Sequence, residues 1–516
     1  MMPAARQPVS ILLSELLTLV GSSEVPAIPV EGLALDSRLV QSGDVFFAVA
    51  GSRAHGLHFA EQAIDKGAVA IVWESSGFDL SDIDNLIPML DKKYNIPLIP
   101  VRDLGAKLSR IAGIYYGQPS AELNCIGVTG TDGKTSVSHF IAQALHSEIS
   151  PCGVLGTLGY GIHGQLVDPS HTTPDPIRVQ AELLNLQKAG AEVVAMEVSS
   201  HALDQYRVAS VQFDTVVLTN ISRDHLDYHG SLAAYVEVKR QLFRFPHVRH
   251  AVLNLDDALG LSLIDSIDRD VSKIGYSIDP DFCWRLFEND LRWLHAAQID
   301  TTTCGLEISL LSSWGEARFH SALLGEFNVA NMLATAAALL ASGIEFESVV
   351  ARLQGLTTVA GRMESFGGGE QPLVVVDYAH TPNALQTVLR ALRPHCPRDL
   401  LCVFGAGGNR DRGKRPLMGA VAEAGADRLI LTNDNPREED PQAIIRDILA
   451  GVRDQQVIAC IPDRAEAIHS AIGQAKAGDV VLIAGKGHED CQIVGEIKSA
   501  FSDRDQVKTA LQAWQT

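Results

Sequence analysis

The chain has 516 residues, 46% of them hydrophobic and 20% charged, with a formal net charge of −20. That length exceeds what one core supports and predicts about three domains, and the composition excludes a disordered chain. The acidic balance argues against a nucleic-acid-coating surface, so any anionic ligand must be met by local Arg and Lys clusters.

The first block, 1–110, carries short β-like runs at Asp44 to Val49 and Ala68 to Trp73, separated by turn signals. The apolar stretch near Val9 to Leu13 is broken by Ser14 and Glu15, and no segment approaches the ~20 apolar residues of a membrane span. A cytoplasmic protein is expected. The eight cysteines show no C-x-x-C and no regular spacing, and several lie within apolar runs and read as small core residues.

The second block, 111–345, opens on Ile126 to Ser136, I-G-V-T-G-T-D-G-K-T-S. Cys125 to Val128 reads as a buried strand. Val137, Phe140, Ile141, Ala144 and Leu145 recur at helical spacing. A glycine-rich loop between strand and helix turns backbone N–H groups onto one point. Lys134 and the Thr135 hydroxyl stand beside them, so a nucleotide triphosphate with Mg²⁺ is the natural occupant. The glycines fall at 127, 130 and 133, off the strict G-x4-G-K-[ST] spacing.

Further runs end in polar tips: Val193 to Met196 before Glu197, and Thr215 to Thr219 before Asn220 and His225. Alternating strands and helices predict a parallel sheet, whose ligands gather beyond the carboxyl ends of the strands. Lys134, Glu197 and His225 therefore fall on one rim. Oxygen-preferring Mg²⁺ suits Thr135 and Glu197; His225 reads either as a further metal ligand or as a turn histidine. In the helix beginning near Ser231, Lys239 shares an apolar stripe with Leu232 and Tyr235. Such a lysine either snorkels to solvent or, if buried with a lowered pKa, takes up CO₂ as a carbamate. The segment 251–325 is less regular and admits antiparallel strands; a helix is predicted over Asn328 to Leu340.

The third block, 346–516, repeats the α/β pattern with strands at Leu373 to Val376, Leu400 to Phe404, Leu429 to Thr432 and Val480 to Ala484. Thr381 and Pro382 form an N-cap and N1 pair. Gly405-x-Gly407-Gly408 lacks the third dinucleotide-site glycine, because position 410 is Arg, so NAD is not expected. Arg410, Arg412, Lys414 and Arg415 form either an anion site or a solvated basic loop. Asp434-Asn435-Pro436-Arg437 could grip a zwitterionic amino acid, acid to ammonium and Arg to carboxylate, or be a plain turn.

Together these tips resemble the Mur ligase family over nearly the whole chain. The matching motifs are Leu35-Asp36-Ser37-Arg38 with Gly43-Asp44, Gly130 to Thr135, Thr172-Thr173-Pro174, Met196 to His201, Tyr235-x3-Lys239, Gly325-x-Phe327-Asn328, Gly361-Arg362-Met363, Asp377 to His380, Asp434 to Arg437 and Gly485 to Glu489. The resemblance implies an α/β chain of three domains: one for a UDP-sugar, a central P-loop-type parallel-sheet ATPase domain, and a C-terminal Rossmann-like domain for an amino acid. It implies ATP-dependent amide ligation through an acyl phosphate, with Mg²⁺, in peptidoglycan precursor synthesis. The implied substrates are UDP-N-acetylmuramoyl-L-alanyl-D-glutamate, meso-diaminopimelate and ATP, and a monomer is expected.

By position, the resemblance assigns ATP to Gly130, Thr131, Asp132, Gly133, Lys134, Thr135 and Ser136. It assigns the UDP-muramoyl-dipeptide to Leu35, Ser37, Ser52, Arg53, Ala54, Thr172, Thr173, Ser199, Gln205 and Arg207. Diaminopimelate falls to Arg410, Asp434, Asn435, Pro436, Arg437, Gly485 and Glu489. Lys134, Glu197, His225 and Lys239 become catalytic, with Lys239 as N6-carboxylysine and, with Thr135, Glu197 and His225, a metal ligand. Three positions depart from the family pattern: Asp132 stands where Asn is common, Ser136 where Thr is common, and His171 where Asn can occur. The rival expectations are a lysine-adding relative, a folylpolyglutamate synthase, and a P-loop regulatory protein without ligase activity.

Overall fold

The computed structural model describes residues 11–21, 25–51, 54–76, 83, 85–167, 172–287, 291–303, 305–454 and 458–514. They divide into two compact units. One comprises Met1–Tyr276, Phe287–Arg292 and Ala337–Gly343; the other comprises Ser277–Leu286, Trp293–Ala336 and Ile344–Thr516.

The first unit contains two sheets. The N-terminal sheet is all parallel, in the order Gly32–Ala34, Asp44–Ala48, Ala70–Glu74, Leu98–Val101. Its two middle strands are buried along their whole length, because both faces are covered. Val45, Phe47 and Val72 share a core with Leu104, Leu108 and Ile111 of the helix Leu104–Tyr115. The alternate residues Phe46, Ile71 and Trp73 pack with Ala60, Ala63 and Leu90. Each such large apolar side chain contributes about 1.5–3 kcal/mol on burial.

The second sheet of this unit runs Gln165–Val167, Gly159–Ile162, Cys152–Gly156, Val193–Glu197, Asn124–Thr129, Phe213–Leu218, His250–Asn254, Ser272–Ser277. The first two strands form an antiparallel hairpin and the other six are parallel. After Asn124–Thr129 the chain builds on one side of that strand and then crosses to the other at Phe213–Leu218. The switch lies beside Thr129, where an open α/β sheet receives its ligand.

In the second unit, Arg292–Thr302, Gly305–Ser312 and Gly315–Ser321 form an antiparallel meander, followed by the helix Glu326–Ala341. The antiparallel strands expected within 251–325 thus occupy its end, whereas His250–Asn254 and Ser272–Ser277 extend the parallel sheet. A six-stranded sheet follows, in the order Glu364–Gly367, Leu373–Asp377, Val480–Ala484, Leu400–Phe404, Arg428–Leu431, Ile458–Cys460. Only its first pair is antiparallel. One face packs Val375, Cys402 and Leu482 with the helices Pro382–Leu392, Lys414–Gly425 and Pro441–Leu449. The other packs Val376, Val403 and Ile483 with Arg464–Gln474 and Asp503–Ala513. Thr381 caps the helix Pro382–Leu392, its side chain accepting from the Ala384 N–H at 3.3 Å. The core role expected of the cysteines holds for Cys125, Cys152 and Cys402, while Cys283 and Cys460 are exposed.

Candidate active site: a phosphate loop, a buried lysine and an amino-acid loop

The phosphate loop leaves the sheet at Thr129 and enters the helix Lys134–Leu145 through Gly133, which is left-handed at φ 82°. Gly130 has φ 148°, and a Cβ there would lie 1.8 Å from Thr219 Oγ1, so glycine is required. The next strand tip clamps the loop. Thr131 N–H donates to Asn220 O (2.7 Å), Asp132 N–H to Asn220 Oδ1 (3.0 Å), and Thr219 Oγ1 to Asp132 O (2.6 Å). The Asp132 carboxylate is exposed; its backbone ties it in. Lys134 Nζ lies over the loop, donating to Gly130 O (2.9 Å) and Thr131 O (2.6 Å). Ser136 is half-buried in the first helical turn. First-turn N–H groups have no intrahelical acceptor, so this end suits an anion.

Glu197, wholly buried, ends the neighbouring strand in register with Val128. Its carboxylate accepts from Thr135 Oγ1 (3.0 Å), Thr157 N–H (2.7 Å) and Thr157 Oγ1 (3.1 Å). A hydroxyl and a carboxylate oxygen so close beside a phosphate loop form the hard donor set that fits Mg²⁺. Thr157 was not singled out from the sequence, although it directly follows the strand Cys152–Gly156 and obeys the same strand-tip rule.

Lys239 is 1% exposed and does not snorkel. Its Nζ donates to Gly130 O (2.7 Å), with Thr129 Oγ1 at 3.5 Å, and stands 4.8 Å from the Tyr235 ring centroid. Burial, with Lys134 nearby, pushes its pKa well below the ordinary lysine range, against the opposing pull of Asp224 and Asp132. The stripe expected for this helix is corrected at one end. Tyr235 and Lys239 are buried, but Leu232, in the first turn, is 46% exposed.

His225 is exposed, at φ 52°, with Nε2 3.3 Å from Asp224 Oδ2 and its ring 4.8 Å from that of His201. Its ring centroid stands 6.5 Å from that of Tyr235. Among the described residues no three His, Cys, Asp or Glu side chains converge as a metal site. Of the four residues expected at a metal, Thr135 and Glu197 are in direct contact.

Five of the residues expected at the UDP-muramoyl-dipeptide form one hydrogen-bonded group. Thr172 Oγ1 donates to Thr157 Oγ1 (3.1 Å), whose own proton goes to Glu197, and Thr173 Oγ1 donates to Glu197 O (2.9 Å) and accepts from Ser199 N–H (3.2 Å). Arg207 donates to Thr173 O (2.8 Å) and, through Nε, to Gln205 Oε1 (3.0 Å); burial lowers its pKa. Ser199 also caps the helix Ser200–Asp204, accepting from Ala202 N–H. Leu35, Ser37 and Ala54 lie beyond the carboxyl ends of Gly32–Ala34 and Asp44–Ala48, with Ser37 Oγ donating to Gln62 Oε1 (2.6 Å). Ser52, Arg53 and His171 lie outside the described residues.

In the second unit, three loops at the strand ends meet. Asn435 O accepts from Gly408 N–H (2.9 Å), and Asn435 Nδ2 donates to Glu489 Oε2 (2.8 Å). Asn435 N–H donates to Asp434 Oδ1 (2.6 Å). Arg437, left-handed at φ 52°, donates from Nη1 to Gly408 O (2.8 Å) and follows Pro436 at the turn. Gly407 lets it pass: a Cβ there would lie 3.0 Å from Arg437 Nη1 and 3.7 Å from Arg410 Cγ. Gly485, at φ 117°, leaves room for Asp434 Oδ2, which a Cβ would approach to 2.7 Å. The expected residues Arg410, Asp434, Asn435, Pro436, Arg437, Gly485 and Glu489 thus share one neighbourhood.

The basic run 410–415 is divided: Arg410 and Arg412 are exposed, Lys414 is half-buried and Arg415 is buried. Arg415 is fully buried, bound to both Glu439 oxygens and to Asp447; Arg412 also pairs with Asp447, and Lys414 donates to His380 O. Arg362 was overlooked as a site residue. It stacks 4.8 Å over the Tyr378 ring, and its buried Nε has no hydrogen-bond partner among the described residues.

Three family models match the chain: "Mur ligase family, catalytic domain" over 29–116, "Mur ligase middle domain" over 128–339, and "Mur ligase, glutamate ligase domain" over 361–487. A Pseudomonas aeruginosa protein named UDP-N-acetylmuramoyl-L-alanyl-D-glutamate–2,6-diaminopimelate ligase is 48% identical over 483 residues, 94% of this chain and 95% of the relative. A Coxiella burnetii protein of the same name is 43% identical over 499 residues, 97% and 99% of the two chains. A solved structure of an enzyme of that name superposes with a TM-score of 0.70 at 35% identity, covering 98% of this chain and 99% of the other. These matches make the chain a member of the Mur ligase family.

Proposed function

We propose that this chain joins meso-diaminopimelate to UDP-N-acetylmuramoyl-L-alanyl-D-glutamate with conversion of ATP to ADP and phosphate, in the cytoplasm, as a step of peptidoglycan precursor synthesis. The observation that carries the ligase reading is Lys239, an amine buried against the phosphate-loop carbonyl of Gly130. Its lowered pKa supplies the neutral amine that CO₂ needs: nitrogen bonds carbon, one proton leaves, and a carboxylate replaces a cation. Thr135, Glu197 and the Lys239 carbamate would hold Mg²⁺, with His225 at a further metal; bound there, Mg²⁺ neutralises phosphate charge.

The rest is done by the chain's own groups. A D-glutamate γ-carboxylate oxygen bonds to the ATP γ-phosphorus as the bond to the ADP oxygen breaks. Lys134 and the first-turn N–H groups stabilise the charge in flight. The neutral diaminopimelate amine then attacks the acyl carbon, and inorganic phosphate leaves as the amine loses its proton. Thr172, Thr173, Ser199, Gln205 and Arg207 would hold the muramoyl-dipeptide, with Leu35, Ser37, Ser52, Arg53 and Ala54 on the uridine nucleotide.

Asp434 and Glu489 supply acceptors for an ammonium, and Arg410 and Arg437 supply guanidinium groups for the second carboxylate. Lysine lacks that carboxylate, and a site with buried polar contacts can reject such an analogue by about 10⁴-fold. The relatives at 43–48% identity carry the diaminopimelate ligase name, in support. The test is phosphate release with a panel of amino acids in the presence of ATP, Mg²⁺ and the UDP-dipeptide. Release that needs both the UDP-dipeptide and meso-diaminopimelate is expected. Equal rates with L-lysine would sink the carboxylate assignment, release with a folate and glutamate would favour the folylpolyglutamate reading, and ATP binding without ligation would favour a regulatory protein.

A further inference from the structure

At the end of the strand Val480–Ala484, three side chains close a ring of hydrogen bonds. Lys486, 0% exposed, donates from Nζ to Asn435 Oδ1 (3.0 Å) and to Glu489 Oε2 (2.7 Å). Asn435 Nδ2 donates to that same Glu489 oxygen (2.8 Å), and the Ile493 N–H donates to Asn435 Oδ1 (3.0 Å). An ammonium can only donate, so the amide oxygen must face Lys486 and its nitrogen must face Glu489. With about two acceptor sites per oxygen, Asn435 Oδ1 and Glu489 Oε2 are both filled. Glu489 Oε1 is the ring's remaining strong acceptor, on a side chain that is 28% exposed.

We propose that Lys486 is a positioning and specificity-determining residue of the amino-acid subsite, one that leaves Glu489 Oε1 as the atom receiving the incoming amino acid's ammonium. The inference rests on the reading of residues 434–437 as that subsite. Stability alone does not account for the lysine, because a buried ion pair is often matched or bettered by apolar groups of similar volume. Its effect is on what the site presents. Without Lys486 the Ile493 N–H and Glu489 still hold the amide, but Glu489 loses its counter-charge and offers a second, less occupied oxygen. Such a site accepts plain amines, including the side-chain ammonium of lysine, with less discrimination.

The experiment compares steady-state kinetics of the full chain with Lys486→Met, Glu489→Gln and the double variant, each checked for folding by calorimetry. Lys486→Met is expected to raise KM for meso-diaminopimelate about tenfold while KM for ATP and for the UDP-dipeptide stays within about twofold. It should also narrow the kcat/KM ratio between meso-diaminopimelate and L-lysine. The double variant should be no worse than Glu489→Gln alone, because Lys486 acts through that carboxylate. An unchanged amino-acid KM in folded Lys486→Met, or losses that multiply in the double variant, overturns the proposal. If Lys486→Met does not accumulate folded, Lys486→Gln, which removes the charge but keeps a donor, is judged on the same KM criterion. Turnover of some other amino acid by the wild type would overturn the proposed function by itself, and the Lys486 comparison would then be made with that amino acid.

Discussion

Lys239 concentrates most of the chemistry that a single residue carries here. A lysine at 1% exposure beside a loop carbonyl is costly as a cation, and its lowered pKa relieves that cost. Replacing it with Ala should cut turnover by about 100-fold or more, with partial recovery when short carboxylic acids are supplied. Near-normal activity in folded Lys239→Ala would refute the carbamate. Gly130 makes a sharper steric case. Gly130→Ala places a methyl 1.8 Å from Thr219 Oγ1 at φ 148°, so the loop must move. Calorimetric titration should show ATP affinity reduced by about tenfold or more; unchanged affinity would mean that the loop's shape is not what binds the phosphates. Both residues were legible in the sequence through the spacing of the loop and the Tyr235-x3-Lys239 pair. Thr157 carried only the general strand-tip signal, which does not say that it meets Glu197, and nothing local marks Lys486 as a lysine that will be buried against Asn435.

At the scale of elements, the loops that carry Gly485 and Asp434 are tied by an ion pair that no sequence period reveals. Arg464, at the start of the helix Arg464–Gln474, forms a bidentate pair with Asp503 at 2.7 Å, both side chains fully buried. It also donates to Ala484 O, just before Gly485, and to Asn433 O, just before Asp434. Asp503→Ala leaves that guanidinium buried without its counter-charge and should cost about 3–5 kcal/mol in chemical denaturation. A loss below about 1 kcal/mol would mean that the pair does not anchor these loops. Strands and helices were more legible than such ties. Leu373–Asp377, Leu400–Phe404 and Val480–Ala484 stand where unbroken apolar runs had placed them, since a strand covered on both faces excludes polar residues. The short strand Ile458–Cys460 was not expected although it lies in an apolar run, and the hairpin Cys491–Ala500, largely exposed, carries no such run.

For the molecule as a whole, burial lowers the pKa of several histidines, among them His55, His201, His395 and His488. His395 shows what protonation would break: its Nε2 accepts from Gly325 N–H (3.0 Å) while Nδ1 bonds Thr302 O (2.7 Å). The folded state holds these rings neutral, whereas the unfolded chain protonates near pH ~6.5. Stability contributed by the neutral form is therefore complete above that pH and is lost as pH falls toward the lowered folded values. Thermal midpoints should drop between about pH 7 and pH 5, with protons taken up on unfolding. A flat profile there would contradict the burial of these rings. Asp175 and Asp377, whose pKa values burial raises, oppose the trend.

The sequence by itself determined the α/β class, the phosphate loop and the ordered set of strand-tip motifs. Backbone periodicity and glycine geometry are local properties, readable within a dozen residues. Only the tertiary structure decided that Arg412 and Arg415 are spent on Glu439 and Asp447, that Leu232 lies outside the buried stripe, and that Lys486 orders Asn435 and Glu489. Those outcomes depend on which donors and acceptors meet across tens of residues of intervening chain, in surroundings that water no longer screens, and no spacing along the chain encodes them.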